Sequence, residues 1–208
     1  MMPNPARPWI LASHNPGKVR EFAARFAELG IDLESAAAAG LNDAPPETGA
    51  TYADNALIKA RYAASGTGRV AISDDSGIEV DALSGGPGVR SARFGDPKLD
   101  DRGRMLHLLD VMQGVPDESR GARYVAVVAI STPAGAEATF AGSCSGRILR
   151  WPEGEGGFGY DPIFFSDDLQ QSFGSATNLD KARVSHRMRA LEQLFAFLRS
   201  PAAVAFER

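Results

Sequence analysis

The sequence predicts an α/β protein in which helices pack on a mixed β-sheet. Three observations carry that prediction. Helical apolar periodicity and short β runs alternate through the first half of the chain. Two long β runs joined by a four-residue turn come later and add antiparallel pairs to the sheet. No Pro/Gly-rich linker is long enough to separate independent domains, so residues 1–208 read as one domain with 1–7 and 200–208 peripheral.

Taken in order, residues 9–12 (WILA) form a short buried strand that stops at Ser13. Asn15 suits an N-cap and Pro16 a first helical position. The helix after them places Val19, Phe22, Ala23, Phe26 and Leu29 on one face and ends at Gly30. Residues 31–35 make a second strand, and the PPETG loop at 45–49 leads into a helix over 51–65. Its buried stripe is small and alanine-rich, with Lys59 and Arg61 on other faces. A strand over 69–73 is broken by Asp74-Asp75-Ser76-Gly77 and resumes over 78–82; a Gly/Pro-rich loop covers 84–97. Residues 98–112 form a helix buried through Leu99, Met105, Leu106, Leu108, Leu109 and Met112, with His107 an exposed neighbour. The β runs 122–132 and 137–150 make a hairpin around Pro133-Ala134-Gly135-Ala136. A Gly-rich loop covers 152–161, a short strand 162–165 and an irregular polar stretch 166–184. Ser185 then opens a last helix on Met188, Leu191, Leu194, Phe195 and Leu198.

Composition narrows the function classes. Hydrophobic residues are 44% of the chain and no apolar run approaches the ~18 residues of a bilayer span, which removes membrane and disordered classes. The net charge of −4 argues against a general nucleic-acid footprint, so any polyanion needs a local site. Cys144, the single cysteine, has no zinc-ligand spacing around it and nothing near it to lower its pKa. It reads as a strand packing residue in a reducing, cytoplasmic setting. The 22 glycines exceed the roughly 15 expected from average usage. Several gather around 77–95 and 154–159, beside the segments that carry chemistry.

Four constellations stand out. Ser13-His14-Asn15-Pro16-Gly17-Lys18 sits where a strand meets a helix N-terminus, a natural anion site with Lys18 as a mobile charge; the spacing is not that of a Walker A loop, and Asn15 could simply cap the helix. Adjacent carboxylates in Asp74-Asp75-Ser76-Gly77 suit Mg²⁺, which takes one or two carboxylates plus phosphate oxygens; the bland alternative is an Asx turn. In residues 154–162, the glycines run into Tyr160-Asp161-Pro162 rather than opening a helix, so the dinucleotide fingerprint is rejected. Flexible backbone beside Phe158 and Tyr160 fits a wall for a flat ring, or else a plain surface loop. Lys181 with Ser185-His186-Arg187 gathers cationic groups at a helix N-terminus, which favours an anion there over a structural role, although a His beside an Arg on a helix is more often a solvated face.

Together these segments resemble the inosine/xanthosine triphosphate pyrophosphatase family. The resemblance runs from about residue 10 to 198 through SHNPGK at 13–18, ETGATYADNALIKA at 47–60, SDDSG at 73–77, GGPGVRSARF at 85–94, GGFGYDPIFF at 156–165 and SHR at 185–187. It implies an elongated mixed sheet, two lobes around a central nucleotide cleft, and usually a homodimer. The implied reaction hydrolyses ITP, dITP and XTP to the monophosphate and pyrophosphate with Mg²⁺. By motif position, Asp75 corresponds to the proton acceptor and a metal ligand, and Glu47 to a second metal ligand. Ser13, His14, Asn15, Pro16, Gly17 and Lys18 correspond to the phosphate-chain segment, with Ser76 near the substrate. Phe158, Gly159, Tyr160 and Asp161 correspond to the base and sugar pocket, and Lys181, His186 and Arg187 to the segment closing over the nucleotide. Arg90 and Arg93 are secondary candidates. No nucleic-acid or membrane partner is implied. The competing readings are a Maf-like or other Mg²⁺-dependent nucleotide phosphatase and a non-catalytic nucleotide-binding module; retention of both Glu47 and Asp75 disfavours the second.

Overall fold

The computed structural model describes residues 7–13 and 15–206. Its seven-stranded mixed sheet and flanking helices bear out the α/β prediction. The strands are β1 (Trp9–Leu11), β2 (Leu33–Ser35), β3 (Ala71–Val80), β4 (Gly121–Ser131), β5 (Glu137–Ile148), β6 (Phe164–Ser166) and β7 (Gln171–Ser172), in the order β2-β1-β3-β4-β5-β6-β7. β1 is parallel to both neighbours, with Trp9 opposite Leu33 and Leu11 opposite Ile72. β6 is antiparallel to β5 and to β7. The helices are α1 (Pro16–Ala27), α2 (Tyr52–Thr67), α3 (Asp101–Val111), α4 (Asn178–Val184) and α5 (His186–Leu198).

The chain forms two compact units. One takes residues up to 75, 127–140 and 191 onward; the other takes 76–126 and 141–190, so the division falls inside β3, β4, β5 and α5. In the first unit α2 packs through alanines. Ala63 and Ala64 meet Ile10, Ala36 and Ala71, since side chains this small let a helix lie close to a sheet. Phe22 and Phe26 of α1 are fully buried, and Phe26 meets Phe195 edge-on at 5.1 Å. In the second unit Leu108 and Met112 pack with Ile78, Val80, Tyr124, Ile148, Phe164 and Phe173. Arg120 is buried there because its guanidinium donates to the carbonyls of Ile148 (2.7 Å), Met112 (3.0 Å) and Leu149 (2.8 Å).

Several expectations are corrected. β3 runs without a break through Asp74-Asp75-Ser76-Gly77, because lysine partners satisfy both carboxylates. Residues 161–163 form a 3-10 turn ahead of β6, and the stretch expected to be irregular holds β7 and α4. On α3 it is Leu106 that is exposed, while His107 tilts against Phe94 at 5.0 Å. The C-terminal segment is not peripheral: Pro201–Phe206 is a 3-10 turn that buries Ala203 and Phe206, the latter edge-on to Phe197 at 5.4 Å. The hairpin holds, closed by the Thr132 N–H to the Ala136 carbonyl at 2.9 Å, and Cys144 is buried.

Candidate active site

In the first unit the ETGATYADNALIKA segment builds one face of the site. Thr51 caps α2 with a reciprocal bond to Asp54: the Asp54 N–H donates to Thr51 Oγ1 and the Thr51 N–H to Asp54 Oδ2, each at 3.1 Å. This fixes the helix start, and Asn55 and Lys59, four residues apart, then share one face. Asn55 is fully buried. Its Oδ1 accepts from the Gly49 N–H at 2.8 Å and its Nδ2 donates to Asp75 Oδ2 at 3.2 Å. Gly49 has to be glycine, since a Cβ there would stand 2.7 Å from Asn55 Oδ1.

Lys59 is the centre of the set. Its ammonium donates to Glu47 Oε1 at 2.9 Å and to Asp75 Oδ1 at 3.1 Å, so the two carboxylates converge on one cation. Burial pushes the Asp75 carboxyl above its ordinary range even though Lys59 and Asn55 favour the charged form. Burial alone would lower the Lys59 ammonium, but Asp75, Asp74 and Glu47 outweigh it and the net direction is upward. Lys18 grips both oxygens of Asp74 at 2.9 and 2.8 Å. Adjacent Asp74 and Asp75 thus bind different lysines, as alternation along a strand requires. Asn15 does cap α1, its Oδ1 accepting from the Lys18 N–H at 3.2 Å, while its own N–H donates to Ser13 Oγ at 3.2 Å. Pro16 and Gly17 lie in the first turn of α1. His14 lies outside the described residues.

In the second unit Asp161 is the hub. It is buried, with Oδ2 accepting from the Phe158 N–H at 2.8 Å and from the Lys181 ammonium, and Oδ1 from the Tyr124 hydroxyl at 3.2 Å. Lys181 also lies 4.8 Å from the Phe158 ring centroid. The Phe158 ring is 55% exposed, which leaves a flat face available. Tyr160 does not serve as a second wall: its ring is buried and its hydroxyl donates to the Ser91 carbonyl at 2.8 Å. Gly157 and Gly159 both have positive φ, and a Cβ at Gly157 would run into the Asp161 carboxylate. Ser185 caps α5 through the Met188 N–H at 3.3 Å. That places His186 and Arg187 in its first turn, both buried, with Arg187 Nη2 3.5 Å from Ser76 Oγ. Arg90 and Arg93 are exposed on the 3-10 turn Gly88–Arg93.

Two of these residues lie inside the 47–60 motif yet take no site role in the sequence. Lys59, expected on an outer face, points instead at Glu47 and Asp75, and Asn55 belongs to none of the four constellations. The i, i+4 pairing of an amide and an ammonium just after Glu47 is the signal that could have found them.

The model of the Ham1 family matches residues 9–197. The chain belongs to the Ham1 family. Among its relatives is the dITP/XTP pyrophosphatase of Thermus thermophilus, 47% identical over 185 residues, which are 89% of this chain and 88% of that one. The dITP/XTP pyrophosphatase of Desulforamulus reducens is 45% identical over 190 residues, covering 91% and 94% of the two chains. Among solved structures, a Ham1 protein from Coxiella burnetii aligns with a TM-score of 0.86 at 35% identity, covering 92% of this chain and 98% of that one. A nucleoside-triphosphatase, dITP/XTP pyrophosphatase, from Mycobacterium abscessus aligns with a TM-score of 0.75 at 42% identity, covering 90% and 98%. Ham1 membership separates the chain from the Maf-like alternative, and the carboxylate–lysine set lies within the matched span.

Proposed function

We infer that the carboxylate–lysine set performs phosphoanhydride hydrolysis and that the Asp161 hub recognises the base. The chain is a nucleoside-triphosphate pyrophosphatase that cleaves dITP and XTP to the monophosphate and pyrophosphate, in line with its Ham1 relatives. ITP is proposed as a third substrate, and removal of non-standard purines from the nucleotide pool as the role. The observation that carries the assignment of residues is the convergence of Glu47 and Asp75 on Lys59.

That convergence also bears on the metal. Two carboxylates near enough to share one ammonium can share one divalent cation, and Mg²⁺ needs no more than one or two carboxylates when phosphate oxygens and waters complete its shell. Glu47 and Asp75 therefore fit as its ligands. The chemistry Mg²⁺ supplies when bound is polarisation of the phosphate oxygens.

Asp75 accepts the proton of the water that attacks the α-phosphorus, held for this by Lys59 on one oxygen and Asn55 on the other. Its upward-shifted pKa brings it nearer to working pH and makes it a better base. Lys18 and Lys59 balance the charge that builds on the departing pyrophosphate. Ser13, Asn15 and the first turn of α1 offer donors to the phosphate chain. Phe158 gives the purine a face, and Lys181, His186 and Arg187 supply donors for a 6-keto oxygen. Adenine's 6-amino group would leave such donors unpaired, which excludes it. Gly159 and Tyr160 contribute backbone beside the base, and Ser76 stands next to Arg187. The reading extends to a homodimer in the cytoplasm with no nucleic-acid or membrane partner. No helix among the described residues is long and apolar enough to cross a membrane.

Product identification with dITP, XTP and ITP, with and without Mg²⁺, tests the reading. Pyrophosphate is expected as the first product, with turnover stopped by chelation. Orthophosphate released first, or undiminished turnover after chelation, would overturn it.

A further inference from the structure

Tyr124 belongs to none of the sequence motifs, yet it touches Asp161 and His186, and any role for it in substrate choice rests on the assignment of those two residues to the base. Its hydroxyl donates to Asp161 Oδ1 at 3.2 Å, while Asp161 Oδ2 is held by the Phe158 N–H and Lys181. Its ring lies parallel to His186, with centroids 4.8 Å apart and planes 10° apart. The ring itself is locked in the core, edge-on to Phe164 at 4.7 Å and stacked on Phe173 at 5.9 Å.

A carboxylate bonded through one oxygen can still swivel, and bonding the second oxygen fixes its plane. An imidazole against a fixed aromatic face keeps its tilt. Burial and the neighbouring Asp161 charge push the Tyr124 phenol far above its ordinary range, so the hydroxyl stays a donor at every working pH.

We propose that Tyr124 is a positioning residue for base discrimination, acting through Asp161 and His186. One phenol in the second unit's core sets the plane of an acceptor and the tilt of a donor that together read the purine edge. The substitution Tyr124→Phe keeps the ring and the His186 stack and removes only the hydroxyl.

The experiment measures kcat and KM for dITP and dATP in the parent, Tyr124→Phe, Asp161→Asn and the double variant, with a thermal melt of each. In Tyr124→Phe, KM for dITP should rise about tenfold, the loss expected for one hydrogen bond to a charged group, with kcat within about twofold. Selectivity for dITP over dATP should fall by a similar factor while the melt stays close to the parent's. In the Asp161→Asn background the same substitution should add less than about twofold, since its effect passes through the carboxylate. Unchanged KM and selectivity in Tyr124→Phe, or factors that multiply in the double variant, would overturn the positioning role alone. An Asp161→Asn variant with parental KM and selectivity would overturn the base assignment, and the positioning role with it.

Discussion

Replacing Lys59 by Met tests whether one ammonium holds the Glu47 and Asp75 carboxylates together. The side chains involved are largely buried, with 14% of Lys59, 12% of Asp75 and 29% of Glu47 exposed. Removing one partner of a buried ion pair costs about 3–5 kcal/mol, and the partial exposure of Glu47 places this case near the lower end, about 3 kcal/mol. For a chain of this length that lowers the melting midpoint by about 6–12 °C. Lys59 has a raised pKa, so its contribution is fully present below the ordinary value of 10.5 and is lost only as pH rises through the higher folded value. The deficit of Lys59→Met should therefore persist from neutral pH to about pH 10 and close above it. On the acid side it should narrow as Asp75 protonates. If Glu47 and Asp75 hold Mg²⁺ as proposed, the ion competes with the ammonium in the parent but meets uncompensated carboxylates in the variant. At a hundred times its Kd the ion should return about 2.7 kcal/mol to Lys59→Met, and less to the parent. The assay is thermal unfolding by circular dichroism with and without Mg²⁺, beside pyrophosphate release from dITP, which should fall at least about a hundredfold. A midpoint within about 1 °C of the parent, or equal stabilisation of both proteins by Mg²⁺, would refute the bridging role.

The remaining predictions concern Asp75, the glycine loop and the buried arginine. Asp75 titrates above its ordinary 3.8, and only its ionised form accepts a proton, so kcat/KM should fall as pH drops through that raised value. An acid limb at or below the ordinary carboxylate value would count against this, as would an Asp75→Asn variant retaining more than about a hundredth of parental turnover. Gly157→Ala should raise KM for dITP about tenfold, because its Cβ meets the Asp161 carboxylate; Gly159→Ala, with open space around the added carbon, should cost only the ~1–2 kcal/mol of left-handed strain. Equal kinetics in the two variants would sink the distinction. Arg120→Met removes the donor shared by the Ile148, Met112 and Leu149 carbonyls and should lower stability by about 3 kcal/mol in a denaturant titration, while kcat at 25 °C stays within about twofold; a large kcat loss with an unchanged titration would reverse that assignment.

Periodicity locates the elements with regular apolar stripes. α1, α2 and α5 follow theirs within a few residues, because burial of such a stripe is the main reason a helix of this length persists. It does not locate β7 and α4, while the short apolar run expected as a strand over 162–165 overlaps β6. β7 is two residues long and α4 buries none of its residues, so no stripe exists to be read. At the site, Asp75, Asp161 and Lys181 are legible as a charge next to glycine, strand or helix start. Tyr160 is not, because an aromatic beside a glycine loop looks the same in sequence whether its ring faces out, as Phe158 does, or reaches Ser91 in the core.

The largest error, the break placed in β3, has a physical meaning. Two adjacent aspartates inside an apolar strand should end it, since burying even one unpaired carboxylate is prohibitive. The strand continues because Lys18 comes to Asp74 from α1 and Lys59 to Asp75 from α2, a compensation 56 and 16 residues distant in sequence. Compensation is incomplete at Asp75. Its pKa is raised, so its ionised form is less favourable in the folded chain than in the unfolded one, and the fold loses stability as pH climbs through the folded value. A strand built for stability alone would carry no such residue. The local rule fails at the carboxylate proposed as proton acceptor, and a strand, whose backbone is fixed by its neighbours, is a suitable place to hold such a group in one orientation.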